Sequence, residues 1–249
     1  MCLILFKYKS HKKYKLILAA NRDEFYKRPT LPLHWWKDQQ GILAGRDQEK
    51  DGTWMGINKN GRFAAITNFR KMPVTKQFES SRGALVTDFI SNDLSEPEYT
   101  SKLRDCGDDY DGYNLIFGHV DSLSYFSNRG AEEAEIAPGT YGLSNHLLNT
   151  PWPKVQNGRQ RIDDVCSEDA VSPDFIFNIL RNRDVGEDAQ LPDTGLDLEL
   201  ERLLSPSFIK SENYGTRSST VLMVDWDNNV TLEERSYIPK AMNQYQFKI

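Results

Sequence analysis

Residues with strand preference fill both ends of the chain, and this distribution limits the folds that it can form. Cys2–Tyr8 and Tyr14–Ala20 are apolar, β-rich runs separated by a short charged segment, which is typical of a hairpin. The same pattern predicts further strands at Thr53–Asn58, Arg62–Asn68, Tyr113–Val120, Leu123–Asn128, Thr140–Asn145, Ser219–Asp225, Val230–Ser236 and Tyr245–Ile249.

Helical spacing is concentrated in the middle of the chain. Apolar residues recur at helical intervals in Arg82–Ile90, which follows Ser81, a residue type that caps helices. Further helices are predicted from Pro153 to about Val165, at Asp174–Arg183 and at Leu196–Leu204. Strands and helices do not alternate regularly, which argues against a parallel α/β fold. We therefore expect one α+β domain over residues 1–249, with antiparallel sheets and helices packed outside them.

Composition excludes several classes of function. The net charge of -5 gives no general attraction for nucleic acid, and the basic residues are scattered. There is no apolar run long enough for a transmembrane helix and no signal-peptide pattern at the N-terminus. The three cysteines are widely spaced, and no Cys or His spacing indicates a metal site. We predict a cytoplasmic protein with no integral membrane segment, no metal and no catalytic cofactor.

Cys2 is the first candidate for chemistry. If aminopeptidase removes Met1, one residue carries both a thiol and a free α-amine, whose pKa values are about 8.5 and about 8. Such a residue is a nucleophile with its own base. Asn21, Arg22, Asp23 and Glu24 follow the predicted second strand, so antiparallel pairing places them beside Cys2.

Two structural explanations compete with this chemistry. Cys2 can simply begin an edge strand, and the four polar residues at 21–24 can simply form a turn. Both explanations remain open on position alone.

The motifs resemble one known family. After an initial Met-Cys, the segments AANRDEFYKRPT, GTWMGIN, YGLSNHLLNTPWPK and YGTRSSTV look like those of the NRDE family, also called the transport and Golgi organisation protein 2 family. The similarity runs over nearly the full length. It implies a four-layer α-β-β-α sandwich, the N-terminal-nucleophile hydrolase fold.

A more distant resemblance, to bile-salt hydrolases and penicillin V acylases, implies roles for single residues. Those enzymes use the cysteine after Met1 as nucleophile and carry Asn-x-Asp at the end of the second strand. The resemblance therefore implies that Cys2 is the nucleophile and Asp23 the partner of its amine. It also implies that Asn68 and Asn145 donate hydrogen bonds to an oxyanion.

The chain departs from the acylase pattern in its arginines. Ala20 stands where those enzymes have an arginine, so Arg22 and Arg217 are the candidates for that role. Asn21 and Glu24 are supporting residues, and Glu24 has no acylase counterpart.

Two functions remain. The first, implied by the family resemblance, is the binding and transfer of haem as a transferable ligand; other family members are linked to acyl-CoA and lipid balance. The alternative is a Cys2-dependent hydrolase of an amide or acyl thioester bond. In both cases the expected partner is a small molecule, either haem or an acyl compound.

Overall fold

Two antiparallel sheets carry most of the chain. The computed structural model describes residues 2–39, 41–74, 76–130, 133–167 and 171–249. The strands are β1 (Cys2–Tyr8), β2 (Tyr14–Phe25), β3 (Thr30–Trp35), β4 (Ile42–Asp47), β5 (Met55–Asn58), β6 (Arg62–Asn68), β7 (Tyr113–His119), β8 (Ser122–Ser127), β9 (Glu133–Glu135), β10 (Gly139–Leu143), β11 (Tyr214–Asp225), β12 (Asn229–Tyr237) and β13 (Lys240–Lys248).

Helices occupy the segments between these groups of strands. They are α1 (Arg82–Ser91), α2 (Glu96–Cys106), α3 (Pro153–Val165), α4 (Pro173–Leu180) and α5 (Leu198–Leu204). The first sheet has the order β10-β1-β2-β11-β12-β13, and the second has the order β3-β4-β5-β6-β7-β8-β9. Strands β1 and β2 therefore lie inside the first sheet, paired on both sides.

Side chains alternate between the two faces of each strand, and this alternation builds three apolar layers. Ile4 and Phe6 of β1 and Leu18 of β2 point between the sheets, where they pack with residues such as Phe63 and Ile116 of the second sheet. The intervening residues of β1 and β2 pack on α3 and α4 instead. The outer face of the second sheet packs on α1 and α2. The layers are thus α-β-β-α, and the predicted fold class is confirmed.

Several element boundaries agree with the sequence prediction, and one difference matters for the site. The strand at Arg62–Asn68 and the helix from Pro153 to Val165 are confirmed. The second strand runs to Phe25 instead of Ala20, because β11 pairs with it as far as Phe25↔Tyr214. Residues 21–24 consequently lie inside a central strand and do not form a turn.

Helix α2 and strands β3, β4 and β9 were absent from the sequence prediction. Helix α2 is polar overall and begins with a capping box, in which Ser95 and Glu98 satisfy each other's backbone N–H groups. The capping box is the feature of the sequence that could have predicted this helix. Strand β3 contains a proline and an irregular pairing with β4, which obscures its period-two pattern.

Within the described ranges, no helix is long and apolar enough to cross a membrane.

The first prediction concerns the stability contributed by the core between the sheets. Phe6 is fully buried there and stacks on Tyr141 at a ring-centroid distance of 5.0 Å. Phe6→Ala should lower the free energy of unfolding by about 3–5 kcal/mol, because it removes buried contacts and leaves a cavity. Phe175→Ala, at a side chain that is 54% exposed, should cost about 1 kcal/mol or less. Urea denaturation measures both; equal losses would contradict this location of the core.

Candidate functional site

Cys2 lies at the end of β1 and faces the space between the sheets. It pairs with Arg22 of β2, and residues that pair across antiparallel strands share one face. A cleft of about 160 Å³ opens at this point. Its walls are Cys2, Arg22, Asp23, Glu24, Arg28, Asp47, Gly52, Thr53, Trp54, Ile66, Asn68, Ser81, Arg82 and Gly83. The cleft is therefore bounded by both sheets and by the start of α1.

The thiol of Cys2 is held in its protonated form. Burial raises the pKa of Cys2, and the charge of Asp23 raises it further. The Arg22 guanidinium and the backbone N–H of Asp23 act in the opposite direction but do not outweigh burial. A thiolate at this position therefore needs a nearby base. Met1, whose removal would free the α-amine, lies outside the described residues.

Asp23 is buried on the opposite face of β2 from Arg22. Its Oδ1 accepts a hydrogen bond of 2.6 Å from Thr216 Oγ1, and its backbone carbonyl accepts one of 3.2 Å from the Tyr214 hydroxyl. Burial raises the pKa of Asp23, although Lys154, Thr216 and Arg22 favour its charged form. The predicted neighbourhood of Cys2 and Asp23 is present, with their side chains directed to different layers.

Arg22 borders the cleft, and its planar guanidinium group packs against an aromatic ring. The guanidinium stacks on the indole of Trp54, 4.3 Å from the ring centroid, and its Nη2 lies 3.5 Å from Asp47 Oδ2. The indole in turn lies over Gly45, where a Cβ atom would stand 2.2 Å from the ring. Gly45 is thus required for Trp54 to reach Arg22.

The rim of the cleft is an ion-pair group. Arg28 binds both carboxylate oxygens of Asp47, at 2.5 and 3.1 Å, and lies 3.9 Å from Glu24. Burial opposes ionisation of Asp47, but the hydrogen bonds and charge of Arg28 hold its pKa below the usual value. Glu24 also lies 4.0 Å from Arg22. The predicted supporting residues Arg22 and Glu24 therefore meet at the mouth of the cleft.

The two predicted oxyanion donors occupy different positions. Asn68 borders the cleft, whereas Asn145 is fully buried and is not among the residues that line it. Asn145 Nδ2 donates to the Asn68 carbonyl over 3.0 Å, and Ser144 Oγ lies 3.0 Å from the Cys2 carbonyl. Asn145 therefore fixes the backbone of Asn68, which is the amide nearer to an incoming ligand.

Asn21 and Arg217 contact backbone groups away from the cleft. Asn21 Nδ2 donates to the carbonyls of Leu180 and Ser207, at 2.9 and 2.7 Å, and ties β2 to the helical layer. Arg217 lies at an irregularity in the pairing of β11 with β2, and it donates to the carbonyls of Phe25, Arg28 and Ile238. It borders a separate cavity of about 30 Å³ on the far side of Arg22.

Two cations near the site were not predicted. Arg82, expected only as the start of a helix, borders the cleft, and its Nη1 donates to Asp111 Oδ2 over 3.1 Å. Ser81 precedes it at the cap position but makes no side-chain cap hydrogen bond. Lys154 is buried in the first turn of α3. A lysine in an amphipathic helix is usually solvated, so the sequence pattern carried no signal for it.

Solved structures share the fold of this chain. The mutant C2A conjugated bile acid hydrolase from Clostridium perfringens superposes with a TM-score of 0.57 at 9% identity, covering 99% of this chain and 92% of that one. The Caenorhabditis elegans N-acylethanolamine-hydrolyzing acid amidase ortholog gives 0.55 at 8% identity, covering 89% and 92%. The fold is therefore that of the N-terminal-nucleophile hydrolases.

Sequence similarity then defines the family. The profile of the Transport and Golgi organisation 2 family matches residues 1–239. The Transport and Golgi organization protein 2 homolog of Homo sapiens is 37% identical over 267 aligned positions, covering 99% of this chain and 96% of that protein. The chain belongs to the Transport and Golgi organisation 2 family.

The second prediction concerns the pH-dependent stability contributed by the hydrogen bond between Thr216 and Asp23. Because burial raises the folded-state pKa of Asp23, the folded protein binds the extra proton between the unfolded and folded pKa values. The unfolding free energy contributed by Asp23 therefore falls as the pH rises through that window. Thr216→Val removes a donor to the carboxylate, so it should cost about 1–3 kcal/mol when Asp23 is ionised and less in acid.

The control for this prediction lies on the same strand. Thr220 is equally buried on β11 but lies on the other face, between the sheets, where it pairs with Glu234 of β12. Thr220→Val should leave the pH dependence that arises from Asp23 unchanged. Chemical denaturation between pH 4 and 8 compares the variants, and a pH-independent loss in Thr216→Val would contradict the role of its hydroxyl.

Proposed function

We propose that the cleft at Cys2 is the active site of an acyl hydrolase that cleaves an amide or acyl thioester bond. The observation that carries the proposal is the position of Cys2, at the end of a central strand in a polar cleft of about 160 Å³ beside Asp23 and Asn68. A cleft of this size suits the reacting end of an acyl compound. The mutant C2A conjugated bile acid hydrolase with the same fold supports this choice, since the C2A mutation replaces a cysteine of that protein.

The reaction begins with proton transfer within Cys2. Once Met1 is removed, the α-amine takes the thiol proton, and Sγ forms a bond to the substrate carbonyl carbon. The C–N or C–S bond of the substrate then breaks, and the leaving group takes the proton from the ammonium. Water attacks the acyl-cysteine with the amine as base, which releases the acid and restores the thiol. The raised pKa of Cys2 fits this scheme, because a buried thiol needs an attached base.

Asn68 and Asp23 have separate roles in this scheme. The side-chain amide of Asn68 donates to the oxyanion of the tetrahedral intermediate, and one such donor contributes about 3–4 kcal/mol. Asp23, as a carboxylate, stabilises the ammonium that forms on Cys2. Asn145 holds Asn68 in place through its carbonyl.

A second candidate, the binding and transfer of haem, has one observation in its favour. The guanidinium groups of Arg22, Arg28 and Arg82 border the same cleft as a thiol. Haem carries two carboxylates, which arginines bind well, and an iron that a thiolate can ligate. The cleft is smaller than the roughly 300–1,000 Å³ of typical ligand pockets, so the macrocycle would lie across its mouth.

Thiol labelling tests the hydrolase. On protein that begins at Cys2, a fluorescent β-lactone should acylate Cys2, because the thiol opens the strained ring. Cys2→Ala should abolish the label, and Asp23→Asn should slow it at least about tenfold. Cys166→Ala removes a different thiol, which is 5% exposed at the end of α3 and lies outside the cleft, and should leave the rate unchanged. Equal labelling of protein that retains Met1 would contradict the role of the α-amine.

Haem titration tests the second candidate. Arg82→Gln and Cys2→Ala should each weaken haem binding about tenfold, because each removes one charged or ligating group. Arg104→Gln, at an exposed arginine paired with Glu133, is the control and should have no effect. Absorbance titration gives the affinities; equal weakening by all three variants would contradict a specific haem site at the cleft.

A further inference from the structure

We propose that Lys154 is a positioning residue of this site, whose ammonium group keeps the Asp23 carboxyl ionised from the layer behind Cys2. The inference rests on the proposed hydrolase function, and it assigns a task to a buried cation that the reaction scheme does not use.

The fold brings Lys154 to the same layer as Asp23. Side chains of β2 that alternate with Arg22, such as Ala19 and Asn21, face the helices, and Asp23 continues this row. Lys154 stands in the first turn of α3, which packs on the same face through Val155 and Ile162. Asp163 of α3 binds Lys7 of β1, and Gly158 packs on Leu5. The first turn of α3 therefore lies toward the start of β1, which pairs with the end of β2.

Lys154 is anchored inside the protein. Its side chain does not extend to solvent: the residue is 5% exposed, and Nζ donates to the Leu204 carbonyl over 2.9 Å at the end of α5. Burying an ammonium is costly unless an opposite charge is close. A buried lysine at this position therefore points to a charged neighbour.

Four ionisable groups from different parts of the fold act on the charge of Lys154. They are Asp23 of β2, Cys2 of β1, Arg70 after β6 and Glu201 of α5. Arg70 and Glu201 form an ion pair of 2.7 Å, and the Arg70 guanidinium also stacks on Trp152. The charges of Arg70 and Glu201 neutralise each other. Lys154 is therefore the cation in this group that is left to neutralise the charge of Asp23.

Burial dominates both pKa values, and each of the two groups opposes the effect of burial on the other. Burial raises the pKa of Asp23, and Lys154 opposes this more strongly than the hydrogen bond from Thr216 does. Burial lowers the pKa of Lys154 to about 8, against the attraction of Asp23. At neutral pH the lysine is therefore still charged and can hold the carboxylate.

The consequence for the reaction concerns the amine of Cys2. When the thiol proton moves to this amine, the new ammonium is stabilised only if Asp23 is a carboxylate. A neutral Asp23 would withdraw that stabilisation. Lys154 therefore acts on the reacting atoms through Asp23 and without touching the substrate.

Titration of Asp23 tests the inference directly. The side-chain carboxyl carbons of aspartate are labelled with ¹³C, and the Asp23 signal is identified by its loss in Asp23→Asn. In Lys154→Met the pH midpoint of the Asp23 titration should rise by about one pH unit or more, because a neighbouring opposite charge is lost. Lys154→Arg keeps the charge and should restore the midpoint. An unchanged midpoint in Lys154→Met would overturn the proposal.

Lys15→Met is the matched control. Lys15 is equally buried, but it pairs with Asp121 and Asn228 at the opposite end of β2. Its loss should leave the titration of Asp23 unchanged, and an equal shift there would show a general effect of destabilisation and overturn the proposal.

A reciprocal measurement covers the case in which Lys154→Met does not fold. In Asp23→Asn, which is nearly isosteric, the pKa of Lys154 should fall further below about 8. ¹⁵N-labelled lysine reports it, and an unchanged value would contradict the pairing. Both titrations use resting protein without substrate. Loss of β-lactone labelling with the pairing intact would therefore count against the hydrolase alone.

Discussion

The register of β1 against β2 is the constraint on which the site depends. Because Cys2 pairs with Arg22, the thiol and the guanidinium share the face between the sheets, and Asp23 points to the helices. A shift of one residue would exchange these faces and bury the thiol among α3 and α4. The pairing of β2 with β11 fixes the same register from the other side and brings Thr216 to Asp23.

Two environments result from this single strand arrangement. The side with Cys2 opens to solvent and is bordered by arginines and carboxylates that largely neutralise one another. The side with Asp23 is closed, and its charges are Lys154, Arg70 and Glu201. In the hydrolase that we propose, separation by the backbone would let the buried carboxylate act on the N-terminal residue while the substrate meets mainly the open face. This division is the reason for preferring the hydrolase proposal to the haem proposal.

Much of this arrangement could be predicted from the sequence. Apolar, β-rich runs predicted β1, β6, β7 and β11, and the Met-Cys and Asn21-Arg22-Asp23 motifs contain residues that border the cleft. The location of Arg82 and Lys154 at the site could not be predicted, because charged residues of helices are usually solvated. Their roles arise from contacts distant in sequence, such as that of Lys154 with Leu204. The separate location of Arg217 follows from irregular pairing that no local pattern shows.

The state of the N-terminus tests the central claim most directly. The intact mass of untagged protein, measured by mass spectrometry before and after incubation with an acyl thioester, shows whether Met1 is removed and whether an acyl group forms on the new terminus. The account predicts a chain that begins at Cys2 and gains one acyl group, which hydroxylamine then releases. A chain that retains Met1 in every molecule would contradict it, because the amine that must accept the thiol proton would be bound in a peptide bond.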